Sequence, residues 1–145
     1  MLDDADRTFL GTARRAVLAT NAPDGRARLV PVCFALAPDL PVLYTPLDDK
    51  PKRVDDPLAL ARVRDILADP RVTVLVDRWD EDWSRLAWLR CAGRAELLQP
   101  GDPDHPAAIA ALRARYEQYL MHVLEARPII AITIDRVTRW AAVPS

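Results

Sequence analysis

The chain has 145 residues, half of them hydrophobic, and a formal charge of −1. That length predicts a single domain, residues 1–145, large enough to bury its own core. The near-neutral charge argues against a nucleic-acid binder, which needs a large phosphate-attracting term, and no apolar run approaches the roughly 18 residues that cross a bilayer. Residues 3–13 read as a first helix, with Phe9 and Leu10 apolar and acidic residues at its start, where the helix dipole favours them. Residues 16–20 predict a strand, Asp24-Gly25 a hairpin turn, and residues 27–36 a second strand built on Leu29, Val30, Val32 and Phe34. Pro31 falls inside that strand. A proline donates nothing to a ladder, so the strand there is at an edge, bulged, or turned toward a ligand.

A third strand, 42–45, leads into a polar loop, 46–53, and then a helix over 56–67 with Asp55 or Asp56 as cap and Pro57 in its first turn. Asp69-Pro70 ends that helix, and residues 71–76 form a β-branched strand. Residues 77–84 are a polar loop carrying Trp79 and Trp83. A long strand, 86–98, holds Trp88 and an isolated Gly93, which marks a bulge or a close backbone approach. The longest helix, 107–124, repeats Ile109, Leu112, Tyr116, Leu120 and Val123 at helical spacing. Two short strands, 129–134 and 137–143, are separated by a turn at Asp135-Arg136, and the second carries Trp140. The sum is an α+β chain in which β dominates: a curled, six-stranded antiparallel sheet of small-barrel type.

Few residues here carry chemistry by themselves. The two histidines, His105 and His122, have no second ligand at metal spacing. Cys33 and Cys91 each sit in an apolar run, as reduced thiols do in the cytoplasm. The N-terminus, Met1-Leu2-Asp3-Asp4, lacks the basic and apolar regions of a signal peptide, which again predicts a cytoplasmic protein. All four glycines are isolated, so no glycine-rich phosphate loop is present. Lys50, Lys52 and Arg53, between a strand and a helix, form either a phosphate cradle or a solvated cluster balanced by Asp48, Asp49, Asp55 and Asp56. The four tryptophans serve either as core anchors or as surfaces for a flat ring. A chain of this kind either binds without chemistry or orients a cofactor that supplies it.

Several segments together resemble a known family. They are Asp24-Gly25-Arg26, Leu29-Val30-Pro31-Val32-Cys33-Phe34, Leu43-Tyr44, Asp49-Lys50-Pro51-Lys52-Arg53, Asp69-Pro70-Arg71-Val72, Glu81-Asp82-Trp83-Ser84-Arg85-Leu86 and Gly93-Arg94-Ala95. In order and spacing they resemble the pyridoxamine 5'-phosphate oxidase-like split β-barrels, whose fold also binds flavin mononucleotide (FMN). More narrowly, the Lys-Pro-Lys-Arg and Glu-Asp-Trp-Ser-Arg-Leu segments are similar to the actinobacterial branch that uses the deazaflavin coenzyme F-420.

The resemblance implies a homodimer with two cofactor sites at its interface. It implies phosphate contacts from Lys50, Lys52 and Arg53, and a cofactor ring lined by Val30, Pro31, Val32 and Cys33. Tyr44 and Thr45 would lead into the phosphate loop, and Trp83 and Ser84 would reach the site from the other subunit. Trp88 falls where pyridoxamine-phosphate oxidases carry a flavin-contacting polar residue, a departure from the usual FMN pattern. The implied activity is hydride transfer between reduced F-420 and a small organic acceptor. FMN binding, oxidase or reductase, is the alternative, and a non-catalytic dimer holding a deazaflavin or haem-like ligand is a third reading. Arg26, Arg28, Arg62 and Arg64 are candidates for meeting the longer acidic tail of a deazaflavin, or are simply solvent-facing charges. Arg139-Trp140 is reversed relative to the pair that binds substrate phosphate in true pyridoxamine-phosphate oxidases, which argues against that substrate.

Overall fold

A computed structural model describes residues 1–47 and 60–143. Seven strands form one antiparallel sheet: β1 (Ala16–Asn21), β2 (Ala27–Val32), β3 (Ala35–Leu36), β4 (Val42–Pro46), β5 (Arg71–Arg78), β6 (Ala87–Leu98) and β7 (Ile129–Ala141). Their spatial order is β2-β1-β5-β6-β7-β4-β3. The two edge strands, β2 and β3, are consecutive in the chain and separated only by Cys33 and Phe34. Three residue steps span at most about 11 Å, so the edges approach one another and the sheet curls into a split barrel.

Alternation along the strands fills the barrel. Leu18, Val72, Val74, Val76, Leu89, Cys91, Ile130, Ile132 and Ile134 point inward into one core, joined by Leu10 of helix α1 (Asp4–Thr12) and by Val63 and Ile66 of helix α2 (Ala61–Ala68). A second core lies outside β3, β4 and β7. There Tyr44, Ile129 and Ala131 pack against Ala108, Ile109 and Leu112 of helix α3 (His105–Arg115) and against Tyr116, Tyr119 and Leu124.

Buried carboxylates dock two of the helices. In α1, the Asp3 carboxylate accepts from Asp6 N–H at 2.8 Å and the Asp6 carboxylate accepts from Asp3 N–H at 3.0 Å, a reciprocal cap. Asp6 also receives both Nε, at 2.8 Å, and Nη2 of Arg139 from β7. In α2, buried Asp65 accepts from Thr20 Oγ1 at 2.7 Å and from Arg28 Nε at 2.7 Å. Burial alone pushes the Asp65 carboxyl upward, but the bonds from Arg28 and Thr20 outweigh it and its pKa is lowered.

The structure corrects four expected boundaries. The strand expected over 27–36 is two strands, because after Val32 the chain leaves β1 and joins β4. Phe34 N–H then donates to Tyr116 Oη at 3.0 Å instead of to a ladder, and that hydroxyl donates to Arg14 O at 3.0 Å. The helix expected over 107–124 stops at Arg115 and continues as a 3-10 turn, Glu117–Met121. Tyr116 is extended there, and Arg113 binds the carbonyls of Tyr119 and His122, which closes the turn. The two C-terminal strands are one, and the supposed turn is a bulge: Ala92 pairs with Arg136 and Gly93 with Ile134, leaving Asp135 unpaired. A Cβ on Gly93 would lie 2.2 Å from Thr133 O, so glycine is required at this approach. Among the described residues the sheet has seven strands, not the six expected. Finally, α2 begins at Ala61 after an extended Leu60; Asp55, Asp56 and Pro57, expected at its start, lie outside the described residues.

Two outcomes follow from these bonds. Tyr116→Phe leaves the buried Phe34 N–H without its acceptor and is expected to lower unfolding free energy by about 1–3 kcal/mol in urea titration. Asp65, with its folded pKa below its unfolded value of about 3.9, stabilises the fold above that value and loses the contribution as pH falls. Arg28→Ala is expected to cost roughly 1.5–3 kcal/mol at pH 7. The gap to wild type should narrow when the unfolding curves are repeated at pH 3–4.

Candidate functional site

Helix α3 covers the outer side of β3, β4 and β7, while among the described residues the outer side of β2, β1, β5 and β6 stays open. Register arranges this open face in rows. Pro31, Val17, Leu75, Arg90 and Thr138 lie across one row, and Leu29, Ala19, Thr73, Ala92 and Arg136 across the next. On the other side of the first row Asp77, Trp88 and Trp140 stand opposite one another. Leu29 is 65% exposed, Leu75 39% and Trp140 46%. The bulge at Asp135 makes this possible: before it, Ile130, Ile132 and Ile134 point inward, and after it the phase reverses so that Trp140 turns out beside Trp88. A groove of about 400 Å³ runs over this end of the face, lined by Leu75, Asp77, Trp79, Trp88, Arg90 and Trp140 among others. The Arg90 guanidinium lies 5.3 Å from the centre of the Trp88 ring.

The residues predicted to line a cofactor are divided among several environments. Pro31 is on the open face of an edge strand, where a missing N–H is tolerated. Val30 and Val32 point the other way, into the barrel core. Trp88 shares the open face with Pro31, but β1 and β5 intervene, a separation of three strand spacings or about 14 Å. Trp83 is 68% exposed in a 3-10 turn, Trp83–Arg85, ahead of β6. Asp82 caps that turn: its Oδ1 accepts from the N–H and the hydroxyl of Ser84, at 3.1 and 2.7 Å. Tyr44 is buried beneath α3, where burial raises its pKa with help from Asp104, and Thr45 is buried within β4. Lys50, Lys52 and Arg53 lie outside the described residues.

Cys33 occupies the crossing between the two edges and borders a second hollow of about 310 Å³ with Arg14, Tyr116, Gln118, Tyr119 and His122. Its wall is aromatic and cationic: Arg14 lies 4.8 Å over the Tyr116 ring, and Tyr119 meets both Tyr116 and His122 edge-on. Tyr116, Gln118, Tyr119 and His122 fall within the long helix, 107–124, that the sequence predicts. The departure from helix at Tyr116 turns them toward Cys33, and no periodic signal announces it. Cys91, in contrast, is sealed in the barrel, where burial first and Asp6 second push its thiol up to about 11. Of the four arginines considered for an acidic tail, Arg28 is engaged by Asp65, while Arg26 stands 3.9 Å from Asp24 in solvent.

Among the described residues no group of three His, Cys, Asp or Glu side chains could share a metal ion. Among the described residues no helix is long and apolar enough to cross a membrane.

Comparison with known proteins agrees with this architecture. The fold is similar to that of the conserved hypothetical protein Rv2991 of Mycobacterium tuberculosis, with a TM-score of 0.73 at 20% identity over 98% of this chain and 86% of that one. It is similar to HutZ, the haem storage protein of Vibrio cholerae, with a TM-score of 0.69 at 12% identity over 97% and 94%. A Clostridium acetobutylicum protein related to general stress protein 26, of the pyridoxinephosphate oxidase family, gives a TM-score of 0.64 at 9% identity over 94% and 86%. At these identities the likeness is one of fold. No curated protein matches the chain. Residues 2–141, nearly the whole sequence, match the pyridoxamine 5'-phosphate oxidase family, and the chain with its split barrel belongs to that family.

Proposed function

We propose that the protein is a homodimeric oxidoreductase that holds a flavin-type ring between two copies of the open face, with coenzyme F-420 as its redox partner. The observation that carries this reading is the open face itself. Leu29, Leu75, Trp88 and Trp140 expose apolar surface on one side of a barrel whose other side is covered by α3, and surface of this kind marks a contact site. A flat, largely apolar ring fits such a face. Pro31 and Trp88 are too far apart within one chain to hold one ring, but a two-fold contact of the open faces would bring the Pro31 edge of one copy to the Trp83 and Trp88 end of the other. Lys50, Lys52 and Arg53 would meet the cofactor's phosphate.

When bound, F-420 supplies a hydride from its central ring carbon. The protein's own residues bind and orient. The hollow beside Cys33 suits the acceptor: buried Tyr116 and Tyr119 back it with an aromatic wall, while Arg14 and Gln118 offer donors to the polar end of a small planar compound. Tyr116 is held by its bonds to Phe34 and Arg14, so that wall is fixed before any acceptor arrives. The family name supports FMN as an alternative cofactor, and the haem storage role named for HutZ supports a carrier as another.

Titration of the ligand-free protein with F-420 and, separately, with FMN separates these readings through tryptophan quenching, since Trp88 and Trp140 stand on the proposed contact face. Tighter binding of F-420 is expected, and Lys52→Ala should weaken it by roughly 1.5–3 kcal/mol. Preference for FMN would move the protein to the flavin side of the family, and binding of neither would withdraw the cofactor reading. Leu75→Arg, at the centre of the face, should convert a dimer to a monomer on size-exclusion chromatography without unfolding it.

A further inference from the structure

The far end of the open face differs from its apolar centre. Arg71 of β5 and Arg94 of β6 stand directly opposite each other, and Arg136 follows on β7 just past the bulge. Like charges placed opposite across a ladder oppose the pairing, so the fold gains nothing from this arrangement. Neither Arg94 nor Arg136 has an ion-pair partner among the described residues. Arg71 is held in place: its Nε and Nη2 donate to the two oxygens of Asp69 at 3.0 and 2.8 Å, and Asn21 Nδ2 donates to the same carboxylate at 3.2 Å. That bidentate grip leaves Arg71 Nη1 for another acceptor.

Between these guanidiniums lies a groove of about 590 Å³. Small side chains line its floor: Ala19, Thr73 and Ala92, with Gly93 adding none. Asp135 stands on the rim. With Asp69 counted as well, two carboxylates face three guanidiniums and the groove stays net positive. Six residue steps along β5 separate Arg71 from Asp77 beside Trp88, roughly 20 Å, so the groove is remote from the tryptophan end.

We infer that this groove is a binding site for a small polyanion carrying at least two carboxylate or phosphate groups. Guanidiniums on three adjacent strands span two strand spacings, about 10 Å between the outer backbones, and each can grip an oxyanion through paired N–H donors. A single small anion cannot bridge them. The inference stands on the groove alone and is independent of the cofactor proposed above. A free polyanion and the acidic tail of a bound cofactor share this chemistry.

The test is calorimetric titration of the full chain with citrate and with pyrophosphate, against acetate at equal ionic strength. Saturable binding of either polyanion, at least tenfold tighter than acetate, is expected for wild type and for Lys52→Ala. Arg94→Gln and Arg136→Gln should each weaken it at least tenfold, while Arg90→Gln, outside the groove, should not. Without ligand, Arg94→Gln should melt no lower than wild type because a like-charge opposition is relieved, which a merely structural arginine would not do. F-420 affinity measured in the same variants distinguishes the sources: a parallel loss assigns the groove to a cofactor tail, and an unchanged value assigns it to a free polyanion. Polyanions binding no better than acetate, binding that survives both arginine changes, or binding lost in Lys52→Ala would each overturn the inference.

Discussion

The two-residue passage from β2 to β3 is the constraint on which the rest of the barrel depends. Cys33 and Phe34 tie the two edges of a seven-stranded sheet within about 11 Å, so the sheet has no freedom to open flat. The passage forgoes ladder bonds at Phe34, and Tyr116 supplies the missing partner. Tyr116 can do so because α3 ends one residue earlier. Arg115 extends the clamp, lying 4.8 Å over the Phe34 ring while donating to the carbonyls of Leu10 and Gly11 at the end of α1. One short segment therefore fixes the barrel seam, the end of α1 and the wall of the hollow beside Cys33.

The bulge in β7 is the second organising feature, and it acts through phase. A strand of thirteen residues without it would keep one parity throughout and bury Trp140 or expose the isoleucines. The single unpaired Asp135 lets the first half of β7 serve the core and the second half send Arg139 inward to Asp6 and Trp140 outward to Trp88. Gly93 makes room for the same irregularity from the neighbouring strand. The open face, with its apolar centre and basic end, is thus a product of one extra residue.

Much of this was legible in the sequence. Alternation in 16–20 and 71–76, the Asp24-Gly25 turn and the isolated Gly93 carry local signals, and the segments that resemble the family led to the split barrel. The errors share a cause. Strand β2–β3, helix α3 and strand β7 are each continuous in pattern yet interrupted or joined by tertiary bonds: Tyr116 to Phe34, Arg113 to two carbonyls, and the β6 ladder across Asp135. Periodicity reports which residues prefer burial, not which partner a strand will change to. The site was legible only in part. Pro31 and Trp88 do share a face, but Val30 and Val32, adjacent to Pro31, turn into the core as strand parity demands. The hollow around Cys33 joins residues eighty and more positions apart, a proximity that no local pattern encodes.

Strand order also bears on how the chain acquires its shape. The β1–β2, β3–β4, β5–β6 and β6–β7 pairs join strands consecutive in the chain; β1 must find β5, with Val17 against Leu75, and β4 must find β7, with Val42 against Thr133. Long loops have to close before such pairings reward the chain, which makes folding slow. During synthesis, β3 and β4 wait for residues 129–133 to emerge before they have a sheet to join. Until then the apolar faces of β1, β4 and β5 lack their barrel, and this interval is when the growing chain is most exposed to aggregation.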